Sequence, residues 1–164
     1  MRENIGLYRG KPTERFRDFL TLRKEFCDDG FVYGSLVVSC GRYYICVFGI
    51  CSSRSIINNG ITTMVEVIPE TIGQFTGLTD KNGKKIFEGD IIHTLYANCP
   101  KNEHIEKVVF FNGSFMAEKD GLYVKLTGTE SPKRFSFDKS VYMIECEVIG
   151  NIHDNPELLG GEVK

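Results

Sequence analysis

The 164-residue sequence has no tryptophan, only five prolines and only three histidines. No apolar run approaches the roughly 20 residues that a helix needs to cross a bilayer, so no membrane span is expected. Met1 is followed by Arg2-Glu3-Asn4 rather than by an apolar segment, so no secretory signal is expected. The net charge is only −2, which gives no general attraction to nucleic acid or to anionic membranes. The six cysteines (Cys27, Cys40, Cys46, Cys51, Cys99, Cys146) contain no C-x-x-C pair and form no dense framework. A reduced, cytosolic protein with free thiols is expected, in which Cys40, Cys46 and Cys146 act as small core hydrophobes of strands.

Signatures of chemistry are also missing. There is no Gly-x-Ser-x-Gly elbow, no Walker A pattern and no Gly-x-Gly-x-x-Gly following a strand. His93, His104, His153 and Cys99 stand at no zinc spacing. No catalytic residue, metal or cofactor is therefore expected. Glu88 and Asp90 flank Gly89 and could share a strand face. Glu-Gly-Asp is better explained as turn chemistry, with the Asp side chain capping backbone N–H groups.

What is present is β-forming sequence cut by glycine turns. Residues 5–11 read as a short strand. Phe16, Phe19, Leu20 and Phe26 recur near helical spacing after Pro12-Thr13, with Arg15, Arg17, Arg23 and Lys24 between them, so a helix is expected over about 13–26. Residues 1–24 hold seven Lys+Arg against three Asp+Glu, and that basic helix face reads as a solvated surface. Residues 31–40 and 43–48 form a hairpin pattern, joined at Gly41-Arg42 as a type II′ turn. Residues 49–60 read as a polar loop, and 61–68 as a strand that stops at Pro69. Asn82-Gly83 is a type I′ signal, followed by a reversal at Glu88-Gly89-Asp90 and a strand from Ile91 to Tyr96. Residues 97–104 read as a loop. Asn112-Gly113 and Asp120-Gly121 are further turns between strands, 127–139 is a long excursion, and 147–152 is a last strand. Asn155-Pro156 opens a short terminal helix that would dock Leu158 and Leu159.

The whole reads as mainly β. A small SH3-like or partly open β-barrel is expected over residues 70–164, with a smaller α+β part over 1–69 that carries one short helix. The two parts are expected to form one continuous body.

The run from Pro69 to Ile91, Pro-Glu-Thr-Ile-Gly-Gln-Phe-Thr-Gly-Leu-Thr-Asp-Lys-Asn-Gly-Lys-Lys-Ile-Phe-Glu-Gly-Asp-Ile, closely resembles the signature of the YopX family. Tyr8-Arg9-Gly10-Lys11 is similar to the family's N-terminal motif. Residues Phe31 to Leu36 are similar to a segment that often has Trp in place of Phe31, and Glu147 to Leu159 resembles the C-terminal block. The helical segment near 13–26 looks like an insertion. The resemblance implies a phage or prophage protein of the bacterial cytoplasm, mainly β, with homo-oligomers plausible. It implies no activity, cofactor or catalytic residue.

Two partner classes follow. The first is protein: a second copy, or a phage or host protein, with Phe16, Phe19, Leu20 and Phe26 as candidate oligomer contacts. The second is nucleic acid. Small barrels bind single strands on exposed aromatics beside Lys or Arg, and Arg9, Lys11, Lys81, Lys84, Lys85 and Phe87 are the candidate contacts. The leading expectation is a non-enzymatic interaction module that self-assembles. The alternative is a nucleic-acid-binding accessory factor in phage replication or gene control.

Overall fold

The structure, a computed structural model, describes residues 6–21, 27–49, 61–96, 99–126 and 143–160. The mainly β reading holds: the described residues form twelve strands, one α-helix and two 3₁₀ turns. The chain divides into two compact units, Met1–Phe75 and Thr76–Lys164.

In the first unit the strands are β1 (Leu7–Gly10), β2 (Cys27–Asp28), β3 (Phe31–Ser39), β4 (Arg42–Gly49), β5 (Ile61–Glu66) and the start of β6 (Gly73–Thr79). They run antiparallel in the order β5-β4-β3-β1-β6, and β2 pairs with the start of β3. Alternation along the strands sends Val32, Ile45, Val47, Val65 and Val67 to one face. There they form a core with Tyr8, Leu36, Tyr43, Ile72 and Phe16 packed against it. Phe16 comes from the helix α1 (Glu14–Thr21). Pro12 bridges to Val67 as the last ladder position, and Thr13 accepts the first helical N–H groups, from Phe16 at 2.9 Å and Arg17 at 3.1 Å. Of the helix expected over about 13–26, Glu14–Thr21 is described. Residues 22–26, Phe26 among them, lie outside the described residues, and so do the side chains of Phe19 and Leu20.

The turns obey backbone sterics, with one register correction. Asp29-Gly30, Cys40-Gly41, Asn112-Gly113 and Asp120-Gly121 all carry two successive positive φ angles, between 49° and 83°. That is the type I′ geometry which matches the twist of flanking strands. The β3–β4 turn is therefore Cys40-Gly41 and not Gly41-Arg42. Ser39 pairs with Arg42, and Cys40 sits exposed in the turn rather than in the core. Cys46 is half-buried and Cys146 is buried.

In the second unit, the rest of β6 forms a hairpin with β7 (Lys85–Phe87). A five-stranded antiparallel sheet follows: β8 (Asp90–Tyr96), β9 (Cys99–Phe111), β10 (Ser114–Lys119), β11 (Leu122–Lys125) and β12 (Met143–Asn151), in the order β11-β10-β9-β8-β12. Its core holds Ile86, Ile92, Tyr96, Val108, Ala117, Leu126, Cys146 and Val148. Among the described residues no closed barrel forms, because β11 and β12 end the sheet without pairing with each other.

Two further expectations change. Residues 99–104 continue as strand β9, with a register shift near Tyr96↔Cys99. Pro100 hid this, since proline is tolerated at such irregularities but argues against a strand in a sequence. The C-terminal segment Pro156–Leu159 is one 3₁₀ turn, and Asn155 makes no side-chain cap. The Asn155 side chain instead accepts the N–H of Asn151 at 3.4 Å, and Leu159 stays exposed. The excursion over 127–139 and the loop over 50–60 lie outside the described residues.

Candidate interaction surface

The family-signature segment is largely a structural clamp. Asp80 is 3% exposed. Its Oδ1 accepts the N–H groups of Asn82 (2.8 Å) and Lys84 (2.9 Å), and its Oδ2 accepts the N–H of Val148 on β12 (3.0 Å). Gly83 donates to the Asp80 carbonyl at 3.0 Å, and Asp80 N–H to the Lys84 carbonyl at 2.8 Å. Only Gly83 takes a positive φ (80°) here, so the loop is three residues long with Gly83 at its left-handed position. It is not the two-residue I′ turn that Asn82-Gly83 suggests, because the Asp80 carboxylate stabilises the longer loop.

Lys81 extends the clamp. Its Nζ lies 2.8 Å from Glu145 and 2.8 Å from Glu147. These two carboxylates hold the Lys81 ammonium well above its usual range, through hydrogen bonds first. Lys81 in turn holds the Glu147 carboxyl below its ordinary value. Lys84 and Lys85 are exposed on the same hairpin, whereas Phe87 is buried. Asp90, also buried, accepts the Phe87 N–H through Oδ2 at 2.7 Å and so closes the second reversal.

The remaining sequence candidates are in the first unit. Arg9 is 4% exposed, with its guanidinium 4.6 Å from the centre of the Phe31 ring. The Lys11 ammonium lies 5.3 Å from that ring. The structure therefore joins Arg9 and Lys11 around one aromatic, and it joins Lys81, Lys84 and Lys85 on one hairpin.

A further polar cluster lies among the described residues of the second unit's interior. The Glu106 Oε2 accepts the hydroxyls of Tyr96 (2.5 Å) and Thr94 (2.7 Å). Burial, then the Glu106 carboxylate, pushes the Tyr96 phenol up. Two hydroxyl donors on one oxygen fix the carboxylate within the β8–β9 pair. His93 faces Glu103 at 3.3 Å on the other side of that pair. Among the described residues no group of three or more His, Cys, Asp or Glu side chains is arranged to hold a metal ion.

The surface that stands out is the β9–β10–β11 end of the sheet. Phe110 is 54% exposed, Phe111 41%, Leu122 74% and Tyr123 43%. Phe110 meets Phe115 edge-on, with ring centres 5.1 Å apart. Phe111 and Tyr123 stack at 4.3 Å with an interplanar angle of 14°. Lys107 on β9 and Glu118 on β10 form an ion pair at 2.8 Å, and Glu118 also accepts the Gly121 N–H at 3.0 Å. Sequence reasoning did not single out these aromatics, although a signal exists. Adjacent strand residues point to opposite faces. Phe110-Phe111 and Leu122-Tyr123 therefore each place at least one large apolar side chain off the core.

Comparison with known proteins supplies three findings. A sequence model of the YopX family, described as YopX protein, matches residues 46–160, more than half of the chain. Among solved structures, the crystal structure of protein EF1440 from Enterococcus faecalis is similar at 28% sequence identity. That match covers 69% of this chain and 75% of that chain, with a TM-score of 0.40. No curated protein matches the chain significantly.

Proposed function

The chain belongs to the YopX family, and we propose that it works as a non-enzymatic interaction module that self-assembles, in the cytoplasm of the bacterial host of a phage or prophage. One observation carries this reading. Among the described residues, strand β11 is an edge of the five-stranded sheet, and it exposes Leu122 and Tyr123 beside Phe110 and Phe111. An open, apolar strand edge is a template for pairing with another chain. Phe110 and Leu122 lie on one face of the sheet and Phe111 and Tyr123 on the other, so exposed apolar surface, which marks interaction sites, flanks this edge on both faces. Lys107 on β9 and Glu118 on β10, beside this edge, are tied in a local ion pair. Light scattering coupled to size exclusion tests the reading. A mass above the 18.6 kDa of one chain supports it, and a single-chain mass at every concentration rejects self-assembly.

A second reading, a nucleic-acid-binding accessory factor, draws on Lys84 and Lys85. Both are exposed on the β6–β7 hairpin and form no ion pair among the described residues. Fluorescence anisotropy with labelled oligonucleotides at low salt tests it, since phosphate contacts appear there first. Absence of salt-sensitive binding removes it.

A further inference from the structure

We propose that Asn112-Gly113 is a spontaneous modification site, at which the Asn112 side-chain amide is lost and a carboxylate takes its place, while Asn82-Gly83, the same dipeptide, is protected from that reaction by its fold. This goes beyond the interaction reading and does not depend on it.

The chemistry needs only water. The Gly113 main-chain nitrogen gives up its proton to hydroxide and attacks Cγ of Asn112. A bond forms between the two atoms, the Cγ–Nδ2 bond breaks, and the departing nitrogen takes a proton from water and leaves as ammonia. A cyclic imide remains. Water then opens the imide at one of its two carbonyls. One opening gives aspartate at 112. The other leaves the main chain running through the side-chain carbonyl carbon and gives a β-linked aspartate. The net change is water consumed and ammonia released, with no oxidation or reduction.

A following glycine favours the attack, because no Cβ crowds its nitrogen, and asparagine is accordingly a thermolabile residue. The sequence carries the dipeptide at 59–60, 82–83 and 112–113. The first lies outside the described residues, so the comparison is between the other two.

Asn112 and Gly113 are the central residues of the β9–β10 turn, with φ of 49° and 80°, and Phe111 pairs with Ser114 across it. Such a turn is closed by the N–H of its last residue, Ser114, on the carbonyl of its first, Phe111. The Gly113 N–H takes no part in it. Both central residues are exposed, so hydroxide reaches that nitrogen. Among the described residues no hydrogen bond holds the Asn112 side chain or the Gly113 N–H. A Cβ built on Gly113 meets nothing within 4 Å, so the imide closes in open space.

Asn82 and Gly83 are exposed as well, and a Cβ on Gly83 also meets nothing within 4 Å. Access and crowding therefore do not separate the two sites. Hydrogen bonds do. The Gly83 N–H donates to the Asp80 carbonyl at 3.0 Å. The Asn82 N–H donates to Asp80 Oδ1 at 2.8 Å, and Asn82 Nδ2 to Glu147 Oε1 at 3.3 Å. The attack at Asn82 needs the proton that the Asp80 carbonyl holds, and it needs the Asn82 amide to leave Glu147. Asp80 is itself anchored to the Val148 N–H, which resists local opening of the loop. Breaking one ordinary hydrogen bond before the reaction slows it about tenfold.

The new carboxylate at 112 enters the surface on which Phe110 and Phe111 are exposed. The β-linked form also lengthens the main chain of a turn that the Phe111–Ser114 pairing keeps at two residues. The exposed aromatic surface thus changes with the age of the molecule.

The test is site-resolved peptide mapping by mass spectrometry on the full chain, aged in dilute solution at mildly alkaline pH, both folded and in urea. In the folded chain, conversion at Asn112 is expected to run about tenfold faster than at Asn82, with β-linked aspartate among its products. In urea the two sites are expected to convert at similar rates, which assigns the difference to the fold. Asn112→Gln, whose longer side chain must close a larger ring, is expected to stay intact at 112. Glu147→Ala frees the Asn82 amide and is expected to raise conversion there a few-fold while leaving Asn112 unchanged. Equal rates at the two sites in the folded chain, or faster conversion at Asn82, overturn the proposal. So does an Asn112 that stays intact when folded while both sites convert in urea.

Discussion

The Asp80 carboxylate accepts the backbone N–H of Val148 through Oδ2 at 3.0 Å, across 68 residues of sequence. One buried side chain thus ties the β6–β7 loop to strand β12, while its other oxygen shapes the loop itself. The segment that identifies the family acts mainly as a fastening between two distant parts of one sheet unit.

Replacing Asp80 should be costly in proportion. Asp80→Ala strands three backbone N–H groups, and a buried donor left unmade costs roughly 1–3 kcal/mol. The losses overlap, so a total of about 3–4 kcal/mol is expected. Asp80→Asn keeps the shape but faces a donor NH₂ toward at least one N–H, and it is expected to lose about 2 kcal/mol. Urea titration followed by circular dichroism checks both. Wild-type stability in either variant would remove the fastening role.

The exposed side of the same clamp should respond to acid. The Lys81 hydrogen bond holds the Glu147 carboxyl below its ordinary 4.5. A carboxylate with a depressed folded value contributes stability above its unfolded value and loses it as pH falls through the folded one. Carboxyl-carbon NMR is expected to show Glu147 titrating below 4.5 in wild type, and moving upward in Lys81→Met. An unmoved midpoint would mean that the ion pair is not formed in solution.

Gly34 meets a steric limit rather than a conformational one. A Cβ built there falls 2.0 Å from the Cys46 carbonyl oxygen and 3.1 Å from Ile45 Cγ2. The obstacle is strand backbone, which cannot rotate away as a side chain can. Gly34→Ala is expected to lose about 3 kcal/mol or more and to lower the melting temperature by well over 5 °C. Differential scanning calorimetry measures it, and a near-neutral result would contradict the β3–β4 spacing.

Burial, assisted by the charges of Asp80 and Asp90, pushes the Cys146 thiol up to about 11 from an ordinary 9.0. Its folded value lies above its unfolded one. The stabilisation is fully present below pH 9 and is lost as pH rises through 11. The slope amounts to about 2 kcal/mol over that window. The raised Tyr96 phenol acts in the same direction at higher pH. Stability measured from pH 7 to 11 should be flat and then fall, with a shallower fall in Cys146→Ala. Site-resolved alkylation at pH 8 should label the exposed Cys40 well before Cys146.

Particular residues show what was legible beforehand. Asn112-Gly113 and Asp120-Gly121 announced their turns because no other common residue pair accepts two positive φ angles so readily. Cys40-Gly41 did not, because cysteine carries no turn preference, and the one-residue slip moved Cys40 from core to solvent. Asn82-Gly83 misled because the local dipeptide preference was overridden by Asp80, whose bond to Val148 depends on contact between the β6–β7 hairpin and the five-stranded sheet. Arg9 looked like a surface cation, but its burial over Phe31 depends on the β1–β3 pairing, which no local pattern encodes. The place of β11 at the end of the described sheet was hidden for the same reason: strand order depends on pairings that no local pattern encodes.

The most direct test is sedimentation velocity on the wild type, from low to high micromolar concentration. The expected result is a boundary that moves reversibly from the monomer position toward larger species as concentration rises. A boundary that stays at the monomer position throughout would contradict self-assembly.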